Sequence, residues 1–156
     1  MRSSECSKAA SLNAGVRQNK MNAVFGEKIA HMEYTLRKGA YAVIIDDQDV
    51  AAIKGTSSYF LPGGGREGTE TDEETLAREL HEECEASVEI LSTIGQATDF
   101  LFSAAEDHHF EKHGTFCLAR LLTPPNENLI WIPISDASRF FRQEGHVWAI
   151  TRALAM

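Results

Sequence analysis

Between residues 61 and 86 the chain changes character twice, and the two changes together leave few folds open. Gly63-Gly64-Gly65-Arg66-Glu67-Gly68-Thr69-Glu70 reads as a glycine-rich loop after a short strand and Pro62. The next residues predict a helix. Thr71 and Glu74 have the spacing of a capping box, and Asp72, Glu73 and Glu74 put negative charge in the first turn, where the helix dipole favours it. Leu76, Leu80 and Cys84 recur every fourth residue and form one apolar stripe. A helix with one such stripe must lie against another layer, and the strand-like segments around it make that layer a sheet.

The same helix carries an unusual charge pattern. Glu79, Glu82 and Glu83 stand at i, i+3 and i+4, so at about 100° per residue they share one face. Like charges at this spacing destabilise a helix by roughly 0.2–0.5 kcal/mol per pair. The arrangement becomes useful when a hard divalent cation binds there. Oxygen ligands suit Mg²⁺, with Mn²⁺ as a second choice, and substrate phosphate oxygens complete the shell. Glycines before the helix let the main chain approach metal or phosphate closely, which makes Gly64 and Gly65 candidates for substrate binding. Arg78 can fix a neighbouring carboxylate through paired N–H donors.

The rest of the chain supplies the layers. Met32 to Leu36 alternates like a strand, Lys38-Gly39 reads as a break, and Ala40 to Ile45 is a continuous apolar run expected of a buried central strand. Asp46 to Asp49 is a turn, Val50 to Ile53 a returning arm, and Tyr59 to Leu61 a short strand. Val88 to Phe102 reads as one or two strands broken at Gly95. Ala104 to Gly114 reads as a long polar hairpin tip bearing His108, His109 and His113. Thr115 to Leu122 and Leu129 to Ile134 complete the strands, with Pro133 marking an edge or end. Asp136 to Phe141 and Gly145 to Ala155 are expected as helices, with Phe140, Trp148, Ile150 and Leu154 as apolar contacts. Trp131 and Trp148 are expected as core anchors. The expected fold class is α/β with a mixed sheet, as one domain over residues 21–156 behind a weakly ordered leader at 1–20.

The segment Gly64…Glu70…Arg78-Glu79-Leu80-His81-Glu82-Glu83-Cys84-Glu85-Ala86, with its lead-in Leu61-Pro62-Gly63, resembles the Nudix box of the Nudix hydrolase family. The resemblance implies an α/β/α sandwich and Mg²⁺-dependent hydrolysis of a phosphoanhydride bond in a nucleoside diphosphate linked to a variable group. It implies metal contacts from Glu79, Glu82 and Glu83, a further contribution from Glu70, and the main-chain carbonyl of Gly63. Catalysis would then rest on Glu83, Glu82 and Glu79, with Arg78 beside them. A separate base often comes from a loop in this family, and Glu106, Glu111 and Glu127 are the candidates here. The box departs from the family at Glu85-Ala86, where a glycine and an aliphatic residue are usual. A non-glycine helix stop in the left-handed region costs roughly 1 kcal/mol, or else the helix ends differently.

The alternative reading is a Nudix-like domain that binds a nucleotide for regulation without hydrolysis. Such binders often lose carboxylates that this chain keeps. A prenyl diphosphate isomerase in the same fold would need catalytic residues outside the box. His81-Glu82-Glu83 is not a zinc protease motif, because Glu85 stands where a second histidine is required. The net charge of −8 disfavours a nucleic-acid polymer as partner, and no apolar run approaches membrane-span length. Three cysteines, Cys6, Cys84 and Cys117, form no paired motif, which fits a cytoplasmic setting. A small nucleotide-type substrate and a homodimer are the expected partners.

Overall fold

The computed structural model describes residues 17, 18 and 21–156. The expected leader therefore lies outside the described residues except for Arg17–Gln18, which form strand β1. Nine further strands follow: β2 (Asn22–Phe25), β3 (Tyr34–Val43), β4 (Ile45–Asp46), β5 (Asp49–Lys54), β6 (Tyr59–Phe60), β7 (Gly63–Gly65), β8 (Val88–Ser103), β9 (His108–Leu121) and β10 (Leu129–Pro133). The helices are α1 (Asp72–Cys84), a 3₁₀ turn at Ile134–Asp136, α2 (Ala137–Phe140) and α3 (Glu144–Leu154).

Six strands form one sheet in the order β1-β2-β8-β9-β3-β7. The pairs β2/β8 and β3/β9 are parallel, and β8/β9 and β3/β7 are antiparallel, so this sheet is mixed as expected. A smaller antiparallel sheet runs β10-β5-β4, with β6 on β5.

Strand β3 shows why helices cover both faces. Ala40, Ala42 and Ile44 point to one side, where Leu76, Leu80 and Cys84 of α1 pack. Tyr41, Val43 and Ile45 point to the other, among Trp148, Ala149, Ile150 and Ala153 of α3. The period of two along a strand thus feeds two separate cores, and the result is an α/β/α sandwich. Leu76 and Leu80 are fully buried, which stabilises by about 1.5–3 kcal/mol each.

Several local expectations are corrected. Lys38-Gly39 does not break the strand, because β3 runs through both residues. A side chain at Gly39 would come within 2.6 Å of the Gly64 carbonyl oxygen, so glycine here allows close strand pairing. Gly63–Gly65 is not loop but the edge strand β7, paired with Tyr41, Ala40 and Gly39. Val88 to Ser103 is one strand, with register shifts between Ile90 and Ser92 and between Thr93 and Gly95. The histidine-rich tip is shorter than expected, since β9 begins at His108 and pairs from there with β8 and β3. Trp148 is buried as expected, but Trp131 is 37% exposed on β10 and Leu154 is exposed at the end of α3.

Candidate active site

Helix α1 begins as the sequence predicts. The Thr71 side chain accepts the Glu74 N–H, and the Glu74 carboxylate accepts the Thr71 N–H. It ends on Glu85, which takes the left-handed conformation at φ 56°. The amides of Glu85 and Ala86 recover the carbonyls of His81 and Leu80 at 3.1 and 3.3 Å. The missing stop glycine therefore leaves the geometry of the helix end intact and places its cost on Glu85.

The carboxylate face of α1 lies along the edge strand β7. Arg78 is its hub. Its Nε and Nη2 donate to the two oxygens of Glu70 at 2.6 and 3.0 Å, and Nη2 also donates to the Gly65 carbonyl at 2.8 Å. Its Nη1 reaches Glu79 at 3.1 Å, Glu82 at 3.3 Å and Glu67 at 3.5 Å. Glu70 further accepts the Glu67 N–H and the Thr75 hydroxyl. The Arg78 bonds, then the Glu67 amide, hold Glu70 down at about 2. Gly64 faces Glu79 so closely that any side chain there would overlap the carboxylate.

Glu83 is set apart. It takes the Gly63 N–H at 3.1 Å and receives no donor from Arg78. Burial first, then the charges of Glu79 and Glu82, raise its carboxyl to about 7. Glu79 is also raised, mainly by burial and against the pull of Arg78. Four carboxylates, Glu67, Glu70, Glu79 and Glu82, thus surround one guanidinium, while the more deeply buried Glu83 takes only the Gly63 amide. Among the described residues no three His, Cys, Asp or Glu side chains converge as a ready ligand set. The reason is visible in the hydrogen bonds: Arg78 draws Glu79 and Glu82 while the Gly63 amide draws Glu83.

Of the other candidate acids, Glu106 pairs with Arg37, Glu111 pairs with Lys28 and His113, and Glu127 is exposed. His108 bonds the Thr35 hydroxyl at 2.6 Å and His113 bonds Glu111 at 2.7 Å, so these histidines are not gathered on Cys117.

Sequence reasoning missed a second group beside this face. Tyr41 is raised to about 12 by burial first, then by Glu83, Glu79 and Asp99. Its main chain pairs with Gly63, whose amide donates to Glu83, while its ring lies 4.7 Å from that of His146 on the α3 side. Asp99 and His146 are both buried. They lie outside the box and far from each other in sequence, and no local pattern marks them. A cavity of about 810 Å³ lies on the opposite flank of α1, by Glu73, His81 and Arg120, and none of Glu79, Glu82 and Glu83 lines it.

The chain matches the NUDIX domain family over residues 35–150. No curated protein matches it. Among solved structures, a NUDIX hydrolase from Nitrosomonas europaea is similar at 18% identity and TM-score 0.57, covering 78% of this chain and 90% of that one. The dihydroneopterin triphosphate pyrophosphohydrolase of E. coli is similar at 13% identity and TM-score 0.59, with 76% and 95% covered. The C. elegans Ap4A hydrolase is similar at 18% identity and TM-score 0.56, with 78% and 98% covered. At these identities the likeness is one of fold.

Proposed function

The chain belongs to the NUDIX domain family of hydrolases, and from that premise we propose that it uses Mg²⁺ to cleave a phosphoanhydride bond in a nucleoside diphosphate linked to a further group. The observation that carries this reading is the excess of carboxylate on α1 beside the main chain of β7, with half-buried Glu83 held by the Gly63 amide and out of reach of Arg78. Such a donor set fits a hard divalent ion. It is all oxygen, it is crowded, and its protonation is favoured until a positive charge arrives.

Glu79, Glu82 and Glu83 are the side chains proposed to hold Mg²⁺, with the Gly63 carbonyl as a main-chain donor. Glu70, which the family resemblance also suggests, has its oxygens taken by Arg78, Thr75 and the Glu67 amide. Its proposed part is to seat Arg78 and close the loop before α1. When bound, Mg²⁺ neutralises phosphate oxygens and lowers the pKa of coordinated water. Arg78 keeps Glu79 and Glu82 oriented along one face. Glu83, which would be ionised once its charge is matched, is the carboxylate proposed to accept a proton. Gly64 and Gly65 let a diphosphate approach the main chain without a side chain intervening. Catalysis of this kind comes from positioning and charge neutralisation.

The test is a Mg²⁺-containing panel of nucleoside triphosphates, nucleotide sugars, ADP-ribose and dinucleoside polyphosphates, with products resolved by chromatography. Cleavage of one class that stops with chelator supports the reading. Nucleotide binding without cleavage of any member would replace it with a regulatory binding role.

A further inference from the structure

The face of the main sheet beneath α3 carries a second built feature. Register places Gly65, Gly39, Gly114, Ala97 and Ala23 side by side across β7, β3, β9, β8 and β2. Three of these positions have no side chain and the other two have a methyl group, so the sheet floor is bare along this row. Two residues further along the same strands, Arg37, Lys112 and Asp99 form a polar row in direct register. On the other side of the bare row Tyr41 and Phe116 stack at 5.6 Å. The trough between them encloses a cavity of about 120 Å³ that Asp99, Lys112, Gln143 and His146 also line. One water needs about 10–15 Å³ by this kind of measure, so the space takes a ring-sized group.

Two polar groups at this cavity are incompletely satisfied. His146 is 1% exposed. Its Nδ1 accepts the Leu61 N–H at 3.1 Å, so the hydrogen of the neutral ring sits on Nε2. Burial, then the charge of Lys112, keeps the ring neutral by lowering it to about 3. That buried Nε2 has no acceptor among the described residues. Buried donors of this kind are rare without a partner, because leaving one unmade costs about 1–3 kcal/mol. Asp99 has a single donor, the Gly145 N–H, which both its oxygens share at 3.2 Å. A carboxylate has about four acceptor sites, so most of its capacity is open. Lys112 forms no ion pair among the described residues, and its ammonium stands 6.0 Å from the Phe110 ring.

We propose that this cavity is a specificity pocket for a pyrimidine imide, the uracil or thymine type of base. Its ring N–H would meet Asp99, and its two flanking carbonyls would meet Lys112 and His146. Asp99 is the cross-strand partner of Lys112 and also holds the amide next to His146, so it stands between the two donors. The pocket's order of donor, acceptor, donor is the complement of the imide's acceptor, donor, acceptor edge. Cytosine presents an unprotonated ring nitrogen at the central position and would oppose Asp99. In this arrangement the charged end of the substrate lies toward α1, where the proposed Mg²⁺ would meet it. The two regions meet at Gly65, which lines the cavity while its carbonyl accepts from Arg78. This inference deepens the reading of the protein as a nucleotide-derivative hydrolase and rests on it.

The test is calorimetric titration of the full chain with UMP and CMP, which reads the pocket independently of hydrolysis. UMP is expected to bind at least about tenfold tighter than CMP. Asp99→Asn keeps an acceptor for the Gly145 amide but presents N–H where the carboxylate accepted. It is expected to weaken UMP about 10- to 100-fold while CMP holds or improves. A residue with a merely structural role would weaken both alike. Equal binding of UMP and CMP by the native protein, tighter binding of GMP or AMP than UMP, or an unchanged ratio in Asp99→Asn overturns the proposal. Should the melting curve show Asp99→Asn unfolded, Lys112→Met makes the same comparison, and its UMP preference must fall at least about threefold. Failure of the substrate panel with an intact UMP preference would count against hydrolysis and not against the pocket.

Discussion

The two faces of the main sheet are built on opposite plans. On the α1 side, every charged group of the candidate active site comes from residues 67–83, the loop after β7 and the helix that follows it. On the α3 side, the polar cavity draws Arg37, Asp99, Lys112 and His146 from three strands and the last helix. The first face is crowded with like charge around one arginine. The second spreads its charges and leaves a bare floor between them. Groups that must hold a charge-dense ion can sit on one helix, because i, i+3 and i+4 side chains already face together. Groups that must read the outline of a flat molecule have to approach from several directions, and only separate strands supply that.

The contrast can be tested first at its foundation. Leu80→Ala removes a fully buried side chain that seats α1 on β3. It is expected to destabilise by about 2–5 kcal/mol, lowering the melting temperature by roughly 5–15 °C. Hydrogen exchange should show α1 losing protection while β8 and β9 keep theirs. Equal loss on both faces would mean the two cores act as one.

Glu83→Gln separates the faces chemically. Turnover in Mg²⁺ is expected to fall by at least about 10²-fold with the circular dichroism spectrum unchanged. Affinity for uridine, which lacks phosphate, is expected to stay within about twofold. Near-native turnover in this variant would remove Glu83 from the site.

Asp99 makes the α3 face sensitive to pH. Burial first holds its carboxyl at about 6, above the ordinary 3.8, against the opposing Gly145 amide. The folded chain therefore keeps a proton that the unfolded chain has lost in between. This group's contribution to stability is full below about pH 3.8 and is lost as pH rises through about 6. The melting temperature of the native protein relative to Asp99→Asn should fall between pH 4 and 7, by the equivalent of about 2–3 kcal/mol. A flat difference across that range would show the carboxylate to be well solvated.

The smallest effect concerns the departure at the end of α1. Glu85→Gly relieves a left-handed residue at φ 56° and is expected to stabilise by about 1 kcal/mol, or roughly 2–4 °C, without touching either site. A loss of stability would assign Glu85 a favourable contact that offsets its backbone cost.

Much of this protein could be derived from residue order alone. The capping box at Thr71 and Glu74, the stripe of Leu76, Leu80 and Cys84, and the shared face of Glu79, Glu82 and Glu83 follow from a helical period that acts over a few residues. The period also places Arg78 within reach of Glu79 and Glu82, as found. What residue order could not determine was pairing between distant strands. The Lys38-Gly39 pair looked like a break because glycine disfavours strands in isolation. It is instead a place where β7 approaches closely. The histidine-rich segment looked like a loop because its residues are polar, yet β3 and β8 flank it and carry it on as strand. Trp131 has a core residue's composition, but β10 turns it outward. The bare row Gly65, Gly39, Gly114, Ala97 and Ala23 exists as a row only once five strands are in register. Local periodicity decided the helix and its carboxylates, because neighbours on a helix are neighbours in sequence. Sheet register decided the cavity, because a one-residue slip in any strand would turn its share of the wall to the opposite face.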